Sequence, residues 1–180
     1  LFGLLVLTTA SIELSSKNFQ EPFYYLFRQV AYLLFSILIC SIFLYLSSDN
    51  LKKFSKLFYL LSFLLLCLVI IPGLGHTDNR SMRWLSYGGF NIQPSEFFKL
   101  FYIVWLCAYL DNNKKNIRNF HIFIFPFILL SFAIVILIRQ PDFGTIIVLF
   151  IMTLIILFFA NARYIHIISI GVVGSIGASL

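Results

Sequence analysis

Apolar and polar positions alternate along the chain in long blocks: continuous apolar runs separated by short polar stretches. A helix needs about 20 mostly apolar residues, within a range of about 17 to 25, to cross the hydrocarbon core of a bilayer. Six runs are read as spans, at residues 26–46, 57–72, 94–110, 122–138, 143–160 and 164–180, with a partial seventh at 1–11. The strands of a membrane β-barrel alternate apolar with polar residues over about 10 positions, which these runs do not do. The pattern therefore predicts an all-α, polytopic transmembrane helix bundle, with residues 1–180 forming one transmembrane domain. Pro126 falls inside the fifth run and predicts a kink, where a neighbouring helix can satisfy the backbone groups that proline frees.

Composition sharpens this picture. With 61% hydrophobic residues, 11% charged and a mean hydropathy of +0.97, the chain lies outside the range of soluble domains. Its 22 Phe, 9 Tyr and 2 Trp also exclude disorder. The first residue is Leu1, and Leu180 falls inside an apolar stretch, so the chain reads as a piece truncated at both ends. The start lacks the basic region and small-residue cleavage site of a signal peptide.

Charge gives an orientation. Lys52, Lys53 and Lys56 lie in one loop, Lys114, Lys115 and Arg118 in the next but one, and Arg163 in a third, which marks these alternate loops as cytoplasmic. The opposite face then receives residues 17–29, 73–93 and 139–142, with Lys17, Arg28, Arg80, Arg83 and Arg139. The net charge of +6 is thus spread over both faces. Basic residues scattered in this way do not form a nucleic-acid surface.

Cys40, Cys67 and Cys107 are far apart in apolar runs and read as small packing residues. His76, His121 and His166 lack zinc-site spacing, so no metal ligand and no cofactor is assigned. A divalent-cation requirement stays open.

Two short passages resemble each other. Gln93-Pro94-Ser95-Glu96 opens the fourth span and Gln140-Pro141-Asp142-Phe143 opens the sixth. In both, proline is read at the first helical position, with an acid in the first turn. Asp142 reads equally well as a helix cap and as a cavity residue. Glu96 and Lys99 are three apart, on one face, and only residues 100–110 remain apolar beyond them. At about 1.5 Å per residue that remainder covers about 17 Å, which places both charges within or beside the hydrocarbon. Ionisable groups at such depth face a bundle interior or a water-filled cavity and mark function. Arg80 and Arg83 precede Trp84 and a Gly88-Gly89 turn. A guanidinium there can grip a diphosphate with its planar fork of donors, or simply pair with Asp78 or lipid phosphate.

Arg83-Trp84-Leu85, Gln93-Pro94-Ser95-Glu96 with Lys99, and Gln140-Pro141-Asp142-Phe143-Gly144-Thr145, in this order and each at the outer end of a span, resemble the signature of the SEDS family of bacterial cell-wall proteins. The likeness covers the whole chain. Glu21-Pro22-Phe23-Tyr24, Arg28-Gln29, Tyr32 and residues 71–75 are similar to the division branch more than to the elongation branch.

This resemblance implies ten membrane helices, of which the chain carries about seven. The implied activity is a peptidoglycan glycosyltransferase that polymerises lipid II, an undecaprenyl-diphosphate-linked disaccharide peptide, at the division septum of the bacterial cytoplasmic membrane. It implies a class B penicillin-binding protein, other divisome membrane proteins and membrane lipids as partners. It places Arg83, Glu96, Lys99 and Asp142 as substrate-cavity residues. Gln93, Pro94, Ser95, Gln140, Pro141, Gly144 and Thr145 shape the helix ends, and the catalytic Asp lies after Leu180, which would leave this piece inactive alone. A lipid II transporter, an elongation-type polymerase and a non-catalytic scaffold are the competing readings.

Overall fold

The computed structural model describes residues 3, 6–12, 23–70, 75–78, 81–87 and 90–179. They fall into two units, Leu1–Ser48 and Asp49–Leu180. The first contains α1 (residues 6–12) and α2 (Tyr24–Tyr45). On α2 the Arg28 Nε donates to Tyr32 Oη at 2.8 Å, one turn further along.

The second unit comprises the rest of α3 (Ser48–Leu68), three short strands, α4 (Pro94–Asn112), α5 (Phe120–Arg139), α6 (Phe143–Phe159) and α7 (Tyr164–Ser179). The helix positions match the predicted spans except for α3, which begins at Ser48 rather than at residue 57. Lysine is a good helix former, and Asp49 in the first turn complements the helix dipole, so the helix continues back through the lysine cluster. Two helices, Tyr24–Tyr45 and Phe120–Arg139, are long and apolar enough to span a bilayer by length and composition alone. α3 and α4 instead carry charges near their ends, and α6 is 17 residues long.

The region between α3 and α4, read as a loop, contains a three-stranded antiparallel sheet of order β1-β2-β3. The strands are β1 (Gly75–Asp78), β2 (Ser81–Tyr87) and β3 (Phe90–Ile92). Ser81, Met82, Arg83 and Trp84 alternate polar with apolar residues, a period that favours a strand. Arg80, the Gly88-Gly89 turn, Glu21-Pro22, Lys17 and residues 71–74 lie outside the described residues.

α6 is the central helix of this unit and packs against α4, α5 and α7. Thr145, Leu149, Thr153 and Leu157 form its buried stripe, one residue per turn. α5 answers with Phe123, Pro126, Leu130, Ala133 and Leu137 at helical three-and-four spacing. α3 rests on α4 through rings: Phe58 on Phe101, Tyr59 on Trp105 and Phe63 on Phe98, with centroids 5.1, 5.2 and 6.3 Å apart. Cys40 and Cys107 are exposed and Cys67 is half-buried. They therefore do not fill the core as expected: Cys67 and Cys107 sit off the buried stripes of α3 and α4, and α2 has no buried residue.

Two polar side chains inside the bundle pair with each other. Tyr102 Oη lies 3.1 Å from Thr153 Oγ1, which donates to the Leu149 carbonyl at 2.7 Å. α6 ends at Asn161, whose φ of 65° is a left-handed conformation that asparagine tolerates. The Asn161 and Ala162 amides then return to the Phe158 and Leu157 carbonyls.

Pro126 removes the amide that would have reached the Ile122 carbonyl. Tyr109 of α4 supplies a replacement, its hydroxyl donating to that oxygen at 3.4 Å. The neighbouring-helix rescue expected from sequence is thus provided by one residue. Tyr109→Phe is predicted to lower stability by about 0.5–1.5 kcal/mol in detergent. An unchanged midpoint of thermal unfolding would show that the carbonyl is satisfied otherwise.

Candidate functional site

The ends of four helices meet where α3 and α5 finish and α4 and α6 begin. Gln93 caps α4 with extended backbone (φ −101°, ψ 106°) and Pro94 takes the first helical position, as predicted. The second Gln-Pro passage differs. Asp142 is itself the N-cap of α6, so Pro141 stands before the helix, and the expected equivalence of the two prolines is corrected. Asp is a strong capping residue. Pro141 has no N–H, so the Asp142 amide closes α5 by donating to the Leu137 carbonyl at 3.0 Å. One residue therefore ends one helix and starts the next.

The Asp142 carboxylate is buried, at 7% exposure, and accepts three hydrogen bonds. Thr145 Oγ1 donates to Oδ2 at 2.8 Å, Ser95 Oγ to Oδ2 at 3.2 Å, and the Thr145 amide to Oδ1 at 3.4 Å. Gln93 Nε2 in turn donates to Ser95 Oγ at 3.0 Å. Two helix N-termini, each bearing a partial positive charge, thus converge on one carboxylate. Gln140, also buried, sends Nε2 to the Leu66 carbonyl at 3.3 Å and so holds the last turn of α3. That carbonyl is one of the groups a helix end leaves without an intrahelical partner.

Glu96 and Lys99 form an ion pair, Nζ to Oε1 at 2.8 Å. They lie off the α4 stripe of Ser95, Phe98 and Tyr102, and their side chains are 55% and 23% exposed. Of the four predicted cavity residues, Asp142 belongs to the buried cluster and Glu96 with Lys99 to an open edge one helical step away.

Arg83 lies on β2, which contacts α4. The β1–β2 ladder pairs His76 with Trp84 and then Thr77 with Met82, so Arg83 is the residue it skips. Bulges of this kind recur beside active sites. The Arg83 side chain is outside the described part of the structure. At Gly144 an added Cβ would meet nothing within 4 Å, so no steric demand for glycine exists at this predicted site residue.

Sequence reading missed the Gln140–Leu66 tie and the bulge at Arg83. Neither leaves a signal in spacing: the tie joins residues far apart in sequence, and the bulge depends on the exact register of two neighbouring strands.

A bundle of apolar helices, with an ion pair and a capped carboxylate at one end, defines a polytopic helical membrane protein. The chain belongs to the FtsW/RodA/SpoVE family of cell cycle proteins, whose family model matches residues 1–180. A probable peptidoglycan glycosyltransferase FtsW of Haemophilus influenzae is 38% identical over 177 residues, 98% of this chain and 44% of that protein. Stage V sporulation protein E of Bacillus subtilis is 34% identical, over 97% of this chain and 48% of its own length. The chain spans about half the length of these relatives.

Among solved structures, a chain of a peptidoglycan synthase complex that coordinates polymerization and crosslinking matches with a TM-score of 0.73 and 26% identity, over 99% of this chain and 52% of that one. The rod shape determining protein RodA of Thermus thermophilus matches with a TM-score of 0.70 and 24% identity, over 93% of this chain and 56% of its own. The all-α polytopic fold and the family inferred from the motifs are both borne out.

Asp142→Ala is predicted to cost about 1–3 kcal/mol and Ser95→Ala about 1 kcal/mol, since each leaves buried polar atoms unsatisfied. Their double-mutant cycle should show coupling of at least about 0.5 kcal/mol, because the two groups share a bond. Gly144→Ala should fold normally. Strict additivity of the first pair in thermal unfolding would contradict the cluster.

Proposed function

We propose that this chain forms the substrate-binding half of a peptidoglycan glycosyltransferase that polymerises lipid II in septal wall synthesis. The observation that carries this reading is the Glu96–Lys99 pair, an open charged edge at one end of a helix whose middle is apolar, beside a bonded cluster that fixes its position. Charged groups at membrane depth are costly unless protein, water or an ionic ligand covers them. A lipid-linked diphosphate offers both a long apolar tail and an anionic head for such an edge. Lys99 is the cation placed to neutralise charge that builds on the departing diphosphate, and Glu96 holds Lys99 in position.

The remaining requirement is a general base that takes the proton of the acceptor sugar hydroxyl as its oxygen attacks the anomeric carbon. Asp142 is a poor choice for that role. Its oxygens already accept from Ser95 and Thr145, and it is buried. We assign it to positioning and assign the base to residues beyond Leu180. Crosslinking would fall to a class B penicillin-binding partner, in keeping with the complex to which one structural relative belongs.

The test is lipid II polymerisation by the full-length protein, co-purified with that partner. Lys99→Ala should reduce the rate at least about tenfold, as removal of one electrostatic contact to developing charge does. The exchange Glu96→Lys with Lys99→Glu separates the possible roles. If Lys99 meets the diphosphate, exchanging the pair leaves activity low. Activity restored by the exchange would reduce the pair to a structural bridge and contradict the proposal.

A further inference from the structure

At the opposite end of α4 is a second site, which the polymerase reading does not use. A cavity of about 580 Å³ lies against α3 and α4. Lys52, Lys53 and Lys56 line it from α3, facing Trp105 and Asn112 of α4, with Asp49 at the rim. The charge is unbalanced. Lys52 is engaged by Asp111, and Lys53 lies 5.9 Å over the Phe54 ring. Asp111 lies just past the apolar run and is open to water. The hydrogen bond from Lys52 holds its carboxyl below the usual carboxylate range, so this carboxylate stays ionised, and with Asp49 it leaves two acids against three lysines.

Lys56 has no anionic partner among the described residues, nor does the Trp105 indole N–H have an acceptor among them. Trp105 is only 5% exposed, yet it lines the cavity. An aromatic N–H donor lining a cavity beside a surplus of ammonium groups suits an anionic oxygen.

We propose that this cavity binds a phosphate group, supplied by an anionic phospholipid headgroup, with Lys56 and Lys52 facing its charge and the Trp105 N–H donating to one oxygen. The lipid is favoured over a soluble phosphate by position. The cavity sits where apolar helix surface gives way to the lysine-rich turns that mark the cytoplasmic side, a level at which basic pockets between helices take lipid headgroups. The exposed Leu57 and Leu60 continue from the lysines along α3, a surface for acyl chains.

The chain has two tryptophans, so with Trp84→Phe the emission of Trp105 reports on the cavity alone. The full chain, in a zwitterionic detergent, is titrated with short-chain phosphatidylglycerol, short-chain phosphatidylcholine and inorganic phosphate. Saturable change with phosphatidylglycerol, and at least about fivefold weaker response to phosphatidylcholine, is the predicted result. Lys56→Gln should weaken phosphatidylglycerol binding about fivefold, Lys56→Arg should retain it, and Lys115→Gln, away from the cavity, should leave it unchanged. Inorganic phosphate that displaces the lipid at equal concentration would keep the phosphate chemistry but overturn the lipid as its source. Equal response to the two lipids, or wild-type binding by Lys56→Gln, would overturn the site.

Discussion

A carboxylate inside an apolar bundle must have its oxygens satisfied by protein, because hydrocarbon offers nothing in exchange. Asp142 meets that requirement with donors from α4 and from the first turn of its own helix, and in doing so fixes where α4 starts relative to α6. Much else follows from that geometry. α6 is the helix against which α4, α5 and α7 all pack, so the register set at its N-terminus passes down the buried stripe to Thr153 and Leu157. The same register brings Tyr102 to Thr153. Dispersion and ring packing hold the helices together, while the polar contacts choose which of many similar apolar packings is adopted.

The two ends of α4 have different characters. Its N-terminal end combines a closed, fully bonded cluster with an open ion pair one step around the helix, a rigid frame beside an accessible charge. Its other end is a basic cavity with an aromatic wall. Rigidity at the first end matters for the proposed chemistry, since a charge that stabilises a transition state must already be in place when charge develops. Asp142 has its partners within the protein, whereas the proposal gives contact with substrate to Lys99.

Much of this was legible in the sequence. The apolar runs located the helices α2 to α7, and the short-loop lysines marked one end of the bundle. Proline and small polar residues at two helix starts pointed to the cluster, and the capping role read for Asp142 is present in the structure. What the sequence hid came from pairing between elements. Nothing in the spacing says that Gln140 reaches Leu66, or that Arg83 is the residue a β-ladder skips. The start of α3 was misplaced because lysines were read as loop, whereas a helix running into the membrane interface carries them readily. The family resemblance grouped Glu96 and Lys99 with Asp142, and helical geometry sets the ion pair on a different side of α4 from the buried cluster.

The central claim is that the open edge of α4 receives a diphosphate while the Asp142 cluster only holds it in place. The direct measurement is the affinity of the full-length protein for undecaprenyl diphosphate in detergent, for wild type and Lys99→Ala, with thermal unfolding followed on the same samples. The account predicts at least about tenfold weaker binding by Lys99→Ala with little change in midpoint, since a partly exposed ion pair contributes about 0–1 kcal/mol to folding. Wild-type affinity in that variant would contradict it.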